Sequence, residues 1–107
     1  MKLQGPIIIP DAKLTQYLLI SKARNDKSKF LAQAGFTLEN PEELKQALFQ
    51  LIQTHEAKLD YENEYGSFYL VEGNLIGPNG TLIVVTVWLE RTVDGVIQFI
   101  TLKPSKR

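Results

Sequence analysis

The sequence predicts an α+β domain: about three N-terminal helices packed on one face of a C-terminal antiparallel β-meander of three to four strands. Three observations carry this. Apolar residues between Leu14 and His55 recur at helical spacing, whereas residues 66–76, 81–91 and 96–103 are rich in Val, Ile, Thr, Tyr, Phe and Trp. Pro78-Asn79-Gly80 and Asp94-Gly95 separate those β-rich runs and are strong hairpin signals. The chain has 107 residues, the usual size of one domain, and 1–107 reads as a single unit without repeats.

Pro6 to Pro10, with Ile7-Ile8-Ile9 between, reads as an extended lead-in. Asp11 reads as the N-cap of a first helix over about 12–20, with Leu14, Tyr17 and Leu18 at helical spacing. Asp26 can cap a short second helix through Phe30, Leu31 and Ala34, which Gly35 ends in the C′ position. For the third helix, 41 to about 57, Asn40 caps, Pro41 takes the first position and Glu43 completes a capping-box-like pattern. Leu44, Leu48, Leu51, Ile52 and His55 form its apolar stripe. Tyr61–Tyr65 is the optional fourth strand.

Hairpin register decides which side chains share a sheet face. A two-residue turn at Asp94-Gly95 pairs Leu89 with Ile100, Trp88 with Thr101 and Thr86 with Lys103; a bulge would swap faces. A turn at Asn79-Gly80 sets Val71 opposite Trp88. One face then carries Phe68, Leu70, Val85, Val87, Leu89, Ile100 and Leu102, and is expected to lie under the helices. The other mixes Tyr69, Val71, Thr86, Trp88, Glu90, Phe99, Thr101 and Lys103, and is expected to be the amphipathic, accessible one.

Twelve basic and twelve acidic side chains give zero formal charge, which disfavours nucleic-acid binding by bulk charge alone. The absence of cysteine excludes disulfides, thiolate nucleophiles and cysteine zinc sites, and fits a cytoplasmic chain. No apolar run approaches the ~20 residues of a membrane span. His55 is the sole histidine; Leu59 stands where a zincin motif needs a second, so His55 reads as structural. The acidic residues Glu56, Asp60, Glu62 and Glu64 lack a calcium-loop spacing and read as a solvated face. In the basic run Lys22, Arg24, Lys27, Lys29, a cation in a first helical turn opposes the helix dipole, which singles out Lys27.

Several fragments together resemble a known family. They are Lys13-Leu14 with Tyr17-Leu18-Leu19, Lys27-Ser28-Lys29-Phe30 leading to Gly35-Phe36, Tyr65-Gly66 with Tyr69-Leu70-Val71, Thr86-Val87-Trp88, and Phe99-Ile100-Thr101 before Pro104. The family consists of small uncharacterised bacterial domains of unknown function, found alone or fused to large secreted adhesin- or toxin-like proteins. It implies an arrangement similar to the Barnase–EndoU–colicin–RelE group of metal-independent ribonuclease toxins. The matching positions are Lys27, Thr86, Trp88 and Thr101. The sequence departs from the family pattern at Ile20–Asp26, which lacks a histidine-and-glycine segment, at Gln98 in place of arginine, and at Lys103 in place of tyrosine.

Two functions follow as expectations. In the first, the chain cleaves RNA without metal or other cofactor: Lys27, Thr86 and Thr101 act on the phosphate, Lys103 assists, and Trp88 or Tyr69 stacks a base. In the second, it is a non-catalytic interaction module, a homodimer or one member of a toxin–antitoxin-like pair with a small protein encoded nearby.

Overall fold

The computed structural model describes residues 1–20 and 27–106. The expected caps and cations at Lys22, Arg24 and Asp26 lie outside them. Strand β1 is Ile7–Ile8; helix α1 is one turn, Asp11–Lys13, continuing as a π-helical turn over Leu14–Leu18; α2 is Ser28–Ala32 and α3 is Pro41–Thr54. Strands β2 (Ala57–Asn63), β3 (Gly66–Gly77), β4 (Gly80–Arg91) and β5 (Ile97–Pro104) follow. Among the described residues these strands form one sheet of order β1-β5-β4-β3-β2.

The α+β order is as expected, but the strand count is five and the sheet is mixed. The Ile7-Ile8 pair, too short to read as a strand by local pattern, runs parallel to β5, with Ile7 opposite Ile97 and Ile8 opposite Gln98. β2 takes up residues assigned to the end of the third helix, so α3 stops at Thr54.

α3 has the signals of a capped amphipathic helix. Pro41 occupies its first turn with Glu42 and Glu43, and Leu44, Ala47, Leu48, Leu51 and Ile52 are buried at the i, i+3, i+4, i+7, i+8 spacing. Asn40 stands at the N-cap, yet its side chain turns away: Oδ1 accepts from the Thr37 N–H and hydroxyl, and Nδ2 donates to the Gly35 carbonyl. It ties the loop rather than the helix. Pro10, not Asp11, occupies the N-cap of α1.

α2 ends as its sequence predicts. Gly35 has φ +91°, the Phe36 N–H bonds the Leu31 carbonyl and the Gly35 N–H bonds the Ala32 carbonyl, the paired bonds of a Schellman motif. A Cβ at Gly35 would stand 2.8 Å from Pro78, so this glycine also lets α2 dock on the β3–β4 turn.

The faces of the sheet are the reverse of those expected. One continuous core joins Leu14, Leu18, Leu31, Phe36, Leu44, Leu48 and Leu51 to Val71, Leu75, Val84, Trp88, Ile97, Phe99 and Leu102. The helices therefore cover the face with Trp88 and Phe99, whose rings meet edge to face at 5.2 Å. Two large aromatic rings bury more apolar area than the valines behind them, and that difference chooses the face. The outer face keeps Phe68, Leu70, Val85, Val87 and Leu89 half-buried and Tyr61 exposed.

Register explains what else moved. Gly77 pairs with Gly80, so Pro78-Asn79 is the two-residue turn, and Val71 lies opposite Thr86 while Tyr69 lies opposite Trp88. The β4–β5 loop leaves Glu90 opposite Ile97 and Trp88 opposite Phe99. A bulge at Ile100 then shifts the pairing to Val87–Thr101, Thr86–Leu102 and Val85–Lys103. The bulge carries Thr101 and Lys103 off the Trp88 face and brings Leu102 onto it. No described helix is long and apolar enough to cross a membrane.

Candidate functional site

The six candidate residues separate into two groups. Thr86 and Trp88 are 0% exposed, and Tyr69, opposite Trp88, packs against the core. The Thr86 hydroxyl donates to the Val71 carbonyl at 2.8 Å and accepts the Trp88 indole N–H at 2.7 Å. Each polar atom there already has its partner, so Thr86 and Trp88 hold the core together and face no substrate. Their expected place on an accessible face is corrected by the burial of that face.

Lys27, Thr101 and Lys103 form the other group. Lys27 is the N-cap residue of α2: its carbonyl accepts the Leu31 N–H at 3.0 Å, and its side chain makes no capping bond. Its ammonium donates to Thr101 Oγ1 at 3.1 Å, bridging residues 74 positions apart. Thr101 follows the Ile100 bulge, where among the described strands β5 pairs with β4 alone, because β1 pairs with Ile97 and Gln98. The Thr101 hydroxyl proton points to the Leu102 carbonyl at 3.4 Å, a long contact that a better acceptor would replace. Exposed Lys103 stands two residues along the same strand, on the same side as Thr101.

A fourth side chain joins this cluster. The Lys27 ammonium lies 5.7 Å from the centroid of the Tyr17 ring, and Lys13 Nζ lies 5.8 Å from the same centroid. Periodicity placed Tyr17 in the core stripe of the first helix; the structure leaves it exposed. The signal that could have found it is the spacing Lys13, Tyr17: four residues apart on a helix, a cation and a ring lie side by side.

The arrangement is thus a hydroxyl polarised by an ammonium, with a second ammonium and an aromatic ring alongside. Such a group binds an oxyanion and stabilises charge developing on it. His55 is elsewhere: its Nδ1 lies 3.0 Å from the Leu51 carbonyl, and its ring packs against Gly73, where any Cβ would collide with it. Among the described residues there is no cluster of three or more His, Asp or Glu side chains able to hold a metal ion. A depression of about 600 Å³ is lined by Ile7–Asp11, Lys45, Phe49, Arg91 and Gln98 and contains none of these groups.

Comparison with known proteins adds two findings. The family model described as a domain of unknown function, DUF6883, matches residues 4–106. A structure described as a contact-dependent growth inhibition toxin–immunity protein complex from Klebsiella pneumoniae 342 contains a chain of the same fold. The TM-score is 0.70 at 21% identity, covering 91% of this chain and 98% of that one. At that identity the likeness is one of fold. No curated protein matches the chain.

Proposed function

The chain belongs to the DUF6883 family of domains of unknown function, and from that premise we propose that it is a toxin-like domain that cleaves RNA at the Lys27–Thr101 cluster. The observation that carries this reading is the 3.1 Å contact between Lys27 Nζ and Thr101 Oγ1. Two positions singled out by chemistry and by resemblance, on separate elements, meet beside strand β5. The fold shared with a chain of a toxin–immunity complex supports the same reading.

RNA carries its own nucleophile, the 2′-hydroxyl beside each phosphodiester. The protein's task is then to hold the phosphate and to stabilise charge as the 2′-oxygen, giving its proton to water, bonds to phosphorus and the P–O5′ bond breaks, the departing oxygen taking a proton from water. The Lys27 ammonium offers a fixed positive charge to the non-bridging oxygens. The Thr101 hydroxyl, accepting from Lys27, donates its own proton to the same oxygens in place of Leu102. Lys103 supplies a further cation along the strand.

The test is incubation of mixed RNA with the purified protein in EDTA, beside Lys27→Ala and Thr101→Val. Wild type is expected to cut and each variant to be slowed about 10²- to 10³-fold, the cost of deleting one oxyanion donor. Both side chains are only half-buried, so melting temperatures stay close to wild type. RNA left intact by the wild-type protein sinks the reading.

A second reading rests on a different observation: the outer sheet face has an apolar centre and lies opposite the face that the helices cover. Tyr61 and Phe68 stack there with centroids 4.6 Å apart, beside Leu70, Val85, Val87 and Leu89. Such a patch suits a small partner protein or a second copy of the chain.

A further inference from the structure

The end of the sheet away from β2 is a feature that the proposed cleavage does not use. β1 is the last strand in the order β1-β5-β4-β3-β2, and no other described strand lies beyond it. The Ile97 N–H donates to the Pro6 carbonyl at 2.8 Å, while Ile7 lies opposite Ile97. In this staggered parallel ladder Pro6 and Ile8 turn their polar groups toward β5, and Ile7 turns its N–H and C=O away from it. Ile9 precedes Pro10, which holds it extended, so the edge is set in strand form before anything pairs with it. A strand edge of this kind is a template for a further strand.

The depression of about 600 Å³ follows this edge, since the successive residues Ile7 to Pro10 line it. Phe49 of α3 adds to the apolar wall, and Lys45, one turn earlier on α3, puts an ammonium beside it. The charged residues of the lining are Lys45, Arg91 and Asp11, an excess of one positive charge in a chain of zero net charge. Arg91 is engaged by Asp94 and Gln98. Lys45 is held loosely: its ammonium lies 3.4 Å from Asp11 Oδ1, and the Asp11 side chain is 77% exposed. A carboxylate brought to this apolar wall makes a shorter, charge-assisted bond to Lys45 than Asp11 does.

We propose that the β1 edge takes an extended, acidic segment of another protein, which adds as a strand and sets one carboxylate on Lys45. Main-chain bonds to Ile7 supply affinity, and the apolar wall and the ammonium select the sequence. The chemistry points to another protein rather than a second copy, because Pro6 to Pro10 offers no carboxylate to a matching edge. The two prolines confine pairing to about three residues, so the segment is a short motif.

The experiment follows the backbone amides of the 15N-labelled full chain by NMR at low salt. The probe is a blocked hexapeptide of alternating valine and threonine with one glutamate near its end. It is used beside its glutamine analogue and a copy N-methylated at alternate residues. The glutamate peptide is expected to move the amides of Ile7 to Ile9 and of Lys45, to bind about fivefold tighter than the glutamine analogue, and to lose about tenfold or more on N-methylation. Lys45→Gln should bind the glutamate and glutamine peptides equally. Ile7→Pro, which deletes the outward N–H and keeps the ladder to β5, should weaken both by about tenfold while the remaining amides keep their dispersion. The proposal is overturned by unmoved β1 amides at millimolar peptide, by equal binding of the N-methylated copy, or by a glutamate preference that survives Lys45→Gln. Amides of Ile7 to Ile9 that shift with protein concentration alone would identify a second copy as the occupant and overturn it as well.

Discussion

At Thr86 a single hydroxyl joins strand β3 to the largest side chain of the core, accepting from Trp88 Nε1 and donating to the Val71 carbonyl. Thr86→Val keeps the shape and removes both bonds, leaving a buried indole N–H without an acceptor and a carbonyl without that donor. The expected loss is about 2–4 kcal/mol, from roughly 1–3 kcal/mol for each buried group left unsatisfied. Thr86→Ser keeps the relay and sheds one methyl, costing about 1 kcal/mol. Urea unfolding at constant m-value separates the two; equal midpoints for Val and Ser would show that the relay contributes nothing. The contrast with Thr101 is one of surroundings. Thr101 has the same hydroxyl, but its acceptor is a long contact at a strand edge, so its proton is available for a ligand.

The β4–β5 hairpin shows how an element can be read correctly in outline and misread in consequence. Asp94-Gly95 is a turn signal in the sequence, and Gly95 takes the positive φ of +72° that such a turn needs. Arg91 Nε donates to Asp94 Oδ1 at 3.1 Å, and the Val96 N–H donates to the same oxygen at 3.0 Å. The Arg91 hydrogen bonds first, then the Val96 N–H, hold the Asp94 carboxyl below its ordinary pKa. A carboxylate lowered by folding favours the folded hairpin above the ordinary aspartate range and stops doing so as pH falls through the lowered folded value. Wild type should therefore lose stability through the region below about pH 4, and Asp94→Asn should show a shallower acid slope. Parallel slopes in acid titrations of the two melting temperatures would refute this. What the sequence could not reveal is the bulge at Ile100. It leaves no mark in residue type, yet it moves Thr101 and Lys103 from the Trp88 face to the far side. Local signals such as Gly35, Pro41 and Asp94-Gly95 were legible because each acts within a few residues. The bulge and the Ile7–Ile8 strand were not, because each exists only through pairing with a distant segment.

Across the whole molecule the expectation that fails is which face of the sheet the helices cover: both faces carry apolar side chains, and burial of the Trp88 and Phe99 rings decides between them. The consequence is a sheet face that no described helix covers and whose centre is shared with the candidate site. Leu70, Val87 and Thr101 lie in one row across β3, β4 and β5. A protein docked on that row would cover Thr101 and bar a phosphate from Lys27, so partner binding and RNA binding should exclude each other. Val87→Lys tests this. The site is half-buried, and lysine can lay its stem on the sheet and hold its ammonium in water, so the fold should survive. A charge at the centre of an apolar interface is strongly unfavourable for docking, where loss of one central contact already costs about 2 kcal/mol or more. The variant should therefore fail to co-purify with a small protein encoded beside it, or run as a monomer in light scattering where wild type runs as a dimer. Adding that partner to wild type should also protect RNA from cleavage. A Val87→Lys protein of wild-type mass that still captures the partner, or a wild-type complex that cuts RNA as fast as the free chain, would separate the apolar face from the site it adjoins.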